Sequence, residues 1–343
     1  MGSIKEIMKE DNINISNDKV AQLPLVSICS ITYNHAPYIR QCLDGFLMQK
    51  TNFKYEIIIH DDASTDGTTE IIKEYAEKYP DLITPVFQTE NQYSKGLRGF
   101  FAKFVFPHAK GKYIALCEGD DFWIDPYKLQ KQVEFMESHP EYGLIYTDFH
   151  RYEQETNSME YNMIGSNRIP IIKTFEEHLS LRGYIAPMSW LFKKEYANLT
   201  NNYKGTNAID NSFIFALELF LNTKVYYMNE STCVYRILKN SACHNSSFYK
   251  QYQYNKSVHN TQLYYINKYN VSYETAQKTE WFYETYCYYI LAINDQEEVS
   301  QALEWLKKSL SHSIKDIIIK ICIKSTWGIK IIQKWYKYRI NKS

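Results

Sequence analysis

Residues 55–79 read Tyr55-Glu56-Ile57-Ile58-Ile59-His60, then Asp61-Asp62-Ala63-Ser64-Thr65-Asp66-Gly67, then a helical stretch from Thr68 to Tyr79. The apolar run predicts a buried strand, and the polar segment with its glycine predicts a turn. The same unit recurs on both sides. Leu25 to Thr32 (LVSICSIT) is a short apolar run followed by Tyr33-Asn34-His35-Ala36-Pro37, and Tyr38 to Gln49 then shows helical spacing. Leu82 to Gln88 reads as a third strand, Gly99 to Ala109 as a helix and Lys112 to Cys117 as another strand. Lys128 to Ser138 is a further helix and Leu144 to Phe149 a further strand. Strands alternating with helices predict an α/β fold, a mainly parallel sheet with helices on both faces. In such sheets ligands bind at the carboxyl ends of strands. The polar clusters of this chain stand at those ends.

Beyond residue 150 the pattern loosens. Thr174, with Glu177 three positions on, predicts a capping box for a short helix reaching Leu181. Met188 to Phe192, Lys224 to Met228 and Thr232 to Ile237 read as strands, and Asp210 to Leu221 as an apolar helix. After Ser247 the chain turns helical to Ser311. The expected organisation is a polar tail over 1–22, one α/β domain over 23–245, a helical extension over 246–312 and a basic tail over 313–343.

Charge is balanced, with 39 basic and 39 acidic side chains. A nucleic-acid partner therefore has no whole-chain electrostatic support. The seven cysteines show no CxxC spacing, which argues against structural zinc and fits a reducing cytoplasm. The N-terminal stretch has no apolar signal core, and no run is long and apolar enough to span a bilayer. Neither GxGxxG nor GxxxxGK[ST] occurs, so dehydrogenase and kinase readings fail.

Three constellations carry chemistry. Glu118-Gly119-Asp120-Asp121-Phe122-Trp123 places three carboxylates after a buried strand. Such charge needs good solvation or a cation, and hard divalent ions take oxygen ligands while leaving positions for phosphate. The plainer reading is a solvated acidic turn. At the second strand end, Asp62 is placed to accept from a base or ribose, and Asp66 to cap the Thr68 helix. At the first, Thr32-Tyr33-Asn34 offers an aromatic ring to a nucleobase, or simply a turn.

In this order, Ile31-Thr32-Tyr33-Asn34, Asp61-Asp62-Ala63-Ser64-Thr65-Asp66 and Glu118-Gly119-Asp120-Asp121 resemble the motifs of family 2 glycosyltransferases with the GT-A (Rossmann-like) fold. Phe122-Trp123-Ile124-Asp125-Pro126 and Lys128-Leu129 look like a bacterial branch with an EGDDFW variant of the acidic motif. The resemblance covers roughly residues 24 to 245. It implies a metal-dependent, hexosyltransferase-like enzyme that moves a sugar, with inversion, from a nucleotide diphosphate to an acceptor hydroxyl. UDP is the favoured nucleotide, and a surface polysaccharide or lipid-linked oligosaccharide the expected acceptor. Thr32, Tyr33, Asn34, Asp61, Asp62 and Asp120 would bind the nucleotide. Glu118, Asp120 and Asp121 would hold Mn2+ or Mg2+, although Glu118 departs from the commoner Asp. Asp210, before an apolar helix, would be the catalytic base, or would simply cap that helix. Glu218 is the runner-up. Val234-Tyr235-Arg236 with Ser241 and His244 resembles the segment that closes the domain, where Arg236 or His244 would meet the leaving diphosphate.

Residues 313–343 carry eight Lys/Arg and one Asp. Ile317, Ile318 and Ile321, then Ile332, Trp335 and Tyr336, fall near one helical face, with Gly328 expected to interrupt the helix. This reads as an interfacial membrane helix or as a helix packed on the protein. The expected location is cytoplasmic, free or peripheral on the cytoplasmic face of the membrane. Two rival functions are a sugar nucleotidyltransferase, whose Gly-rich phosphate loop is missing here, and a non-catalytic nucleotide-sugar-binding subunit of a membrane assembly.

Overall fold

The computed structural model describes residues 23–180, 185–205, 208–239, 248–290, 296–309 and 314–340. The first half is built as the alternation predicts. Strands β1 (Val26–Thr32), β2 (Tyr55–Asp61), β3 (Ile83–Phe87) and β4 (Tyr113–Glu118) alternate with helices α1 (Ile39–Leu47) and α2 (Thr68–Lys78). These strands run parallel in the order β3-β2-β1-β4. The side chains of β1, β2 and β4 are buried on both faces, Ile28, Ile57, Ile58 and Ile114 being fully inaccessible, whereas the edge strand β3 is only partly covered. Continuous apolar runs are what such doubly covered strands require.

The second half makes the sheet mixed rather than mainly parallel. Strands β5 (Phe122–Trp123), β6 (Tyr142–Glu153), β7 (Ser158–Glu160), β8 (Leu191–Lys193) and β9 (Lys224–Ile237) complete the order β4-β8-β6-β9-β5, with β7 on β6. β8 lies antiparallel between β4 and β6, whereas β9 is parallel to β6 and antiparallel to β5. α3 (Lys128–Ser138), α4 (Phe175–Ser180) and α5 (Asn211–Asn222) flank it.

Four local expectations change. The two strands expected at 224–228 and 232–237 are one, because Asn229-Glu230-Ser231 is absorbed as a shift of register against Thr147 and Asp148. An irregularity of this kind lets a strand pass a polar stretch without leaving its ladder. The helix expected at 99–109 is a π-helical turn, Phe101–Val105, followed by a 3-10 turn, Phe106–His108. Pro107 lacks the N–H needed to carry a regular helix onward. The strand expected at 188–192 is instead Leu191–Lys193, after a 3-10 turn at Pro187–Ser189.

The C-terminal part is helical: α6 (Phe248–Lys268), α7 (Tyr273–Ile290), α8 (Gln296–Lys308), α9 (Ile314–Cys322) and α10 (Thr326–Ile340). The fourth change concerns Gly328, which lies inside α10 rather than breaking it. A Cβ there would collide with the Cys322 carbonyl, so glycine allows α10 to start tightly against the end of α9. α6 ties the C-terminal part to the helices flanking the sheet, since Val258 and Tyr265 pack with Leu179, Phe213 and Leu217. A separate cluster, including Tyr252, Tyr283, Leu306, Ile319, Ile323 and Ile332, is the core of the extension. The boundary expected near 245 and the tail over 1–22 lie outside the described residues. Among the described residues no helix is long and apolar enough to cross a membrane.

Candidate active site

The ends of β1 and β2 are stitched by hydrogen bonds. The Asn34 and His35 amides donate to Ser64 Oγ and Thr68 Oγ1, each at 2.8 Å, and the Thr65 amide donates back to Asn34 Oδ1 at 2.8 Å. Asn34 sits at φ 54°, a left-handed position that asparagine tolerates better than most residues. The buried Asp61 carboxylate accepts from the Ser64 and Thr69 hydroxyls, each at 2.5 Å. Asp61 therefore shapes the turn. Asp66 accepts from the Thr68 amide at 3.1 Å from one position before the N-cap, which is Gly67 rather than the expected Asp66. Asp62 receives the Gln92 and Tyr93 amides at 2.8 and 3.0 Å, which anchors the loop after β3 beside the site. Tyr33 is 42% exposed at the mouth, as a stacking surface must be.

β4 brings the acidic segment to the same rim. The Gly119 amide donates to the Ile31 carbonyl at 2.9 Å. A Cβ on Gly119 would lie 2.6 Å from Thr32 Oγ1, so only glycine permits this approach of the two strand ends. Around it, Thr32 Oγ1, His35 Nδ1 and Asp120 Oδ1 are buried atoms without a hydrogen-bond partner. His35 Nε2 stands 3.9 Å from Asp120 Oδ2. Buried polar atoms are seldom left unmatched, because the lost hydration costs about 1–3 kcal/mol each. Three at one junction mark a place shaped for a polar ligand.

Asp121 points elsewhere. It is buried, and its Oδ1 accepts the Arg236 amide at 2.8 Å across the β5–β9 pair. Burial, then the neighbouring Asp120 charge, pushes its carboxyl well above the usual range. Arg236 is equally committed. Its Nε donates to the Asp120 carbonyl at 2.7 Å, and its two terminal nitrogens donate to Gln41 (2.6 Å) and Gln154. The guanidinium also lies over the Tyr38, Phe122 and Tyr152 rings at 4.9–5.3 Å. Arg236 thus props the backbone of the acidic turn instead of reaching into the hollow.

Asp210 closes the far side. Its Oδ1 caps α5 through the Phe213 amide at 2.9 Å, and its Oδ2 accepts the Tyr254 hydroxyl at 2.5 Å. Burial, then Asp120, then Asp210 raise the Glu118 carboxyl to about 8, so the three acids share one field. The runner-up base, Glu218, is buried on α5 itself and accepts from Tyr265 at 2.7 Å. Ser241 and His244 lie outside the described residues. No group of three His, Cys, Asp or Glu side chains able to hold a metal occurs among the described residues. The unmatched Asp120 oxygen beside Glu118 does suit a hard cation whose other positions are filled by a diphosphate. Asp121 in its present orientation does not.

The model of glycosyl transferase family 2 matches residues 27–199, half of the chain. The chain belongs to this family. An uncharacterised protein of Mycobacterium tuberculosis is 53% identical over 116 residues, 34% of this chain and 32% of that protein. The Escherichia coli UDP-Glc:alpha-D-GlcNAc-diphosphoundecaprenol beta-1,3-glucosyltransferase WfaP is 35% identical over 116 residues, 34% of this chain and 43% of the relative. The chain thus spans less than half the length of these relatives. Staphylococcus aureus TarS 1–349, solved with UDP-GlcNAc, superimposes with TM-score 0.55 at 13% identity over 91% of each chain. The mannosyltransferase PcManGT from Pyrobaculum calidifontis, solved with GDP-Man and Mn2+, gives TM-score 0.55 at 15% identity over 91% of this chain and 88% of the other. At such identities the likeness is one of fold.

Within this family 2 chain, two site residues escaped the sequence reading. His35 follows Thr32-Tyr33-Asn34 directly, and its place in that turn was a usable signal. Tyr254 lies 44 positions from Asp210 on another helix, and nothing local announces it.

Proposed function

We propose that the chain transfers a sugar from a nucleotide diphosphate, UDP before dTDP or GDP, to an acceptor hydroxyl of a surface polysaccharide or lipid-linked oligosaccharide. The observation that carries this reading is the cluster of unmatched Thr32, His35 and Asp120 atoms at the strand ends, facing Glu118 and Asp210. In it Tyr33 stacks on the base, while Thr32, Asn34 and Asp62 hold the nucleoside, with Asp61 keeping their turn in shape. Asp120 with Glu118 would hold Mn2+ or Mg2+, which when bound would supply charge neutralisation for the diphosphate. Asp210 takes the proton of the acceptor hydroxyl as its oxygen attacks the anomeric carbon. The new C–O bond forms on the face opposite the leaving diphosphate, which inverts the configuration. The UDP-GlcNAc bound by TarS and the UDP-Glc in the name of WfaP support the nucleotide, and the diphosphoundecaprenol in the latter supports a lipid-linked acceptor. The Mn2+ in PcManGT supports the cation. Such donors and acceptors meet on the cytoplasmic side of a membrane, where we place the enzyme.

A panel of nucleotide sugars, each with and without Mn2+, tests this by melting temperature and by release of nucleoside diphosphate. One donor should raise the melting temperature in a metal-dependent way and be turned over when an acceptor is added. Binding without any turnover would favour a non-catalytic subunit, and no binding of any donor would refute the proposal.

A further inference from the structure

The last two helices carry two apolar stripes, and the core of the protein uses one. Ile319 on α9, Ile323 in the turn after it and Ile332 on α10 are buried in the cluster with Tyr252, Tyr283 and Leu306. Ile317, Ile318 and Ile321 on α9, with Trp327 and Ile331 on α10, remain 44–76% exposed. Large apolar residues left exposed together on adjoining helices are unusual where only water meets them. Lys324 in the turn between them and Lys330 and Lys334 on α10 are exposed. Lys320 is half-buried and already engaged, 3.5 Å from Glu284. The one acidic residue over 313–343 is Asp316, against eight basic ones.

We infer that α9 and α10 form a docking surface for an anionic lipid bilayer. The isoleucines and Trp327 enter the acyl boundary while the lysines stay at the phosphate level. Tryptophan favours that interface because its ring is apolar and its N–H is polar. Charge decides between occupants. A second copy meeting this face by two-fold symmetry would set lysines against lysines, and protein interfaces are in general depleted of lysine. An anionic lipid surface is complementary to every exposed cation on the face. Neither helix crosses the bilayer in this arrangement. The inference is independent of the proposed activity, and its test reads no turnover.

Flotation of the full-length protein with phosphatidylcholine vesicles, with and without phosphatidylglycerol, provides the test. Binding should require phosphatidylglycerol and fall several-fold between 0.1 and 0.5 M salt. Two triple variants, I317S/I321S/W327S and K324E/K330E/K334E, should each lose at least tenfold in partitioning. Both alter exposed side chains, and unchanged melting temperatures would establish that they are folded. Equal flotation of wild type and both folded variants would overturn the inference. So would failure of the wild type to bind anionic vesicles, including the case where sedimentation instead finds a dimer that the variants dissolve.

Discussion

The Tyr254 hydroxyl on α6 donates to Asp210 Oδ2 at 2.5 Å, while Asp210 Oδ1 caps α5 at the Phe213 amide. One carboxylate thereby joins the helical extension to the rim of the sheet. As the proposed base, it has its orientation set by the extension. Tyr254→Phe keeps the ring and removes the donor. Turnover should fall about tenfold, the cost of a misplaced reacting group, with the donor KM nearly unchanged. Steady-state kinetics at saturating acceptor check this.

Asp210→Asn separates the two roles of that residue. Asparagine caps helices about as well as aspartate, so the melting temperature should hardly move. An amide cannot take the acceptor proton, and turnover should fall by roughly 10²–10⁴. A large loss of stability with retained turnover would leave Asp210 as a cap alone.

Gly119→Ala would place a methyl group 2.6 Å from Thr32 Oγ1 and 2.8 Å from Thr32 Cβ. Rotating the Thr32 hydroxyl away leaves Thr32 Cβ, which moves only with its backbone, so the ends of β1 and β4 must separate. Overpacking of this kind costs about 1–3 kcal/mol. Denaturant melts should register that loss, and donor affinity should fall with it because Thr32 and Asp120 move apart.

Asp120→Ala removes the unmatched carboxylate oxygen. It should abolish the metal-dependent part of the donor-induced rise in melting temperature, while Asp121→Ala should chiefly lower stability by releasing the Arg236 amide. Isothermal titration of Mn2+ with donor present distinguishes the two variants. Loss of metal binding in neither would remove the cation from the proposal.

Lys128 provides a pH test. It is fully buried, bonded to Gln132 Oε1 at 2.8 Å and lying 4.3 Å from the centre of the Trp123 ring. Burial depresses its ammonium from 10.5 to about 8. A depressed pKa contributes stability that is present above 10.5, where both states are neutral, and lost as pH falls towards 8, because the unfolded chain takes up the proton first. Lys128→Met has no such dependence. The stability of wild type relative to this variant should therefore rise between pH 8 and 10.5, by roughly 3 kcal/mol at most. Urea melts at several pH values measure the difference, and a flat one would contradict the buried charge.

Periodicity and turn chemistry are local, and what depends on them was legible in the chain. The strands at 26–32, 55–61 and 113–118 and the polar clusters at their ends stand where the apolar runs stop. Thr32, Asp62, Glu118 and Asp120 accordingly meet on one rim. The direction in which each carboxylate points was another matter. Asp121 turns inward because the Arg236 amide, 115 residues away, lies across the β5–β9 pair. Arg236 leaves the hollow because Gln41 and Gln154 hold its guanidinium. Asp61 shapes a turn while its neighbour Asp62 anchors a loop, a division that no spacing rule separates. In the tail, the one helical face expected held both Ile332, which is buried, and Ile318, which is exposed. A hydrophobic pattern specifies that a face will be covered. Only packing between distant segments specifies what covers it, because partner choice depends on contacts that sequence neighbours do not make.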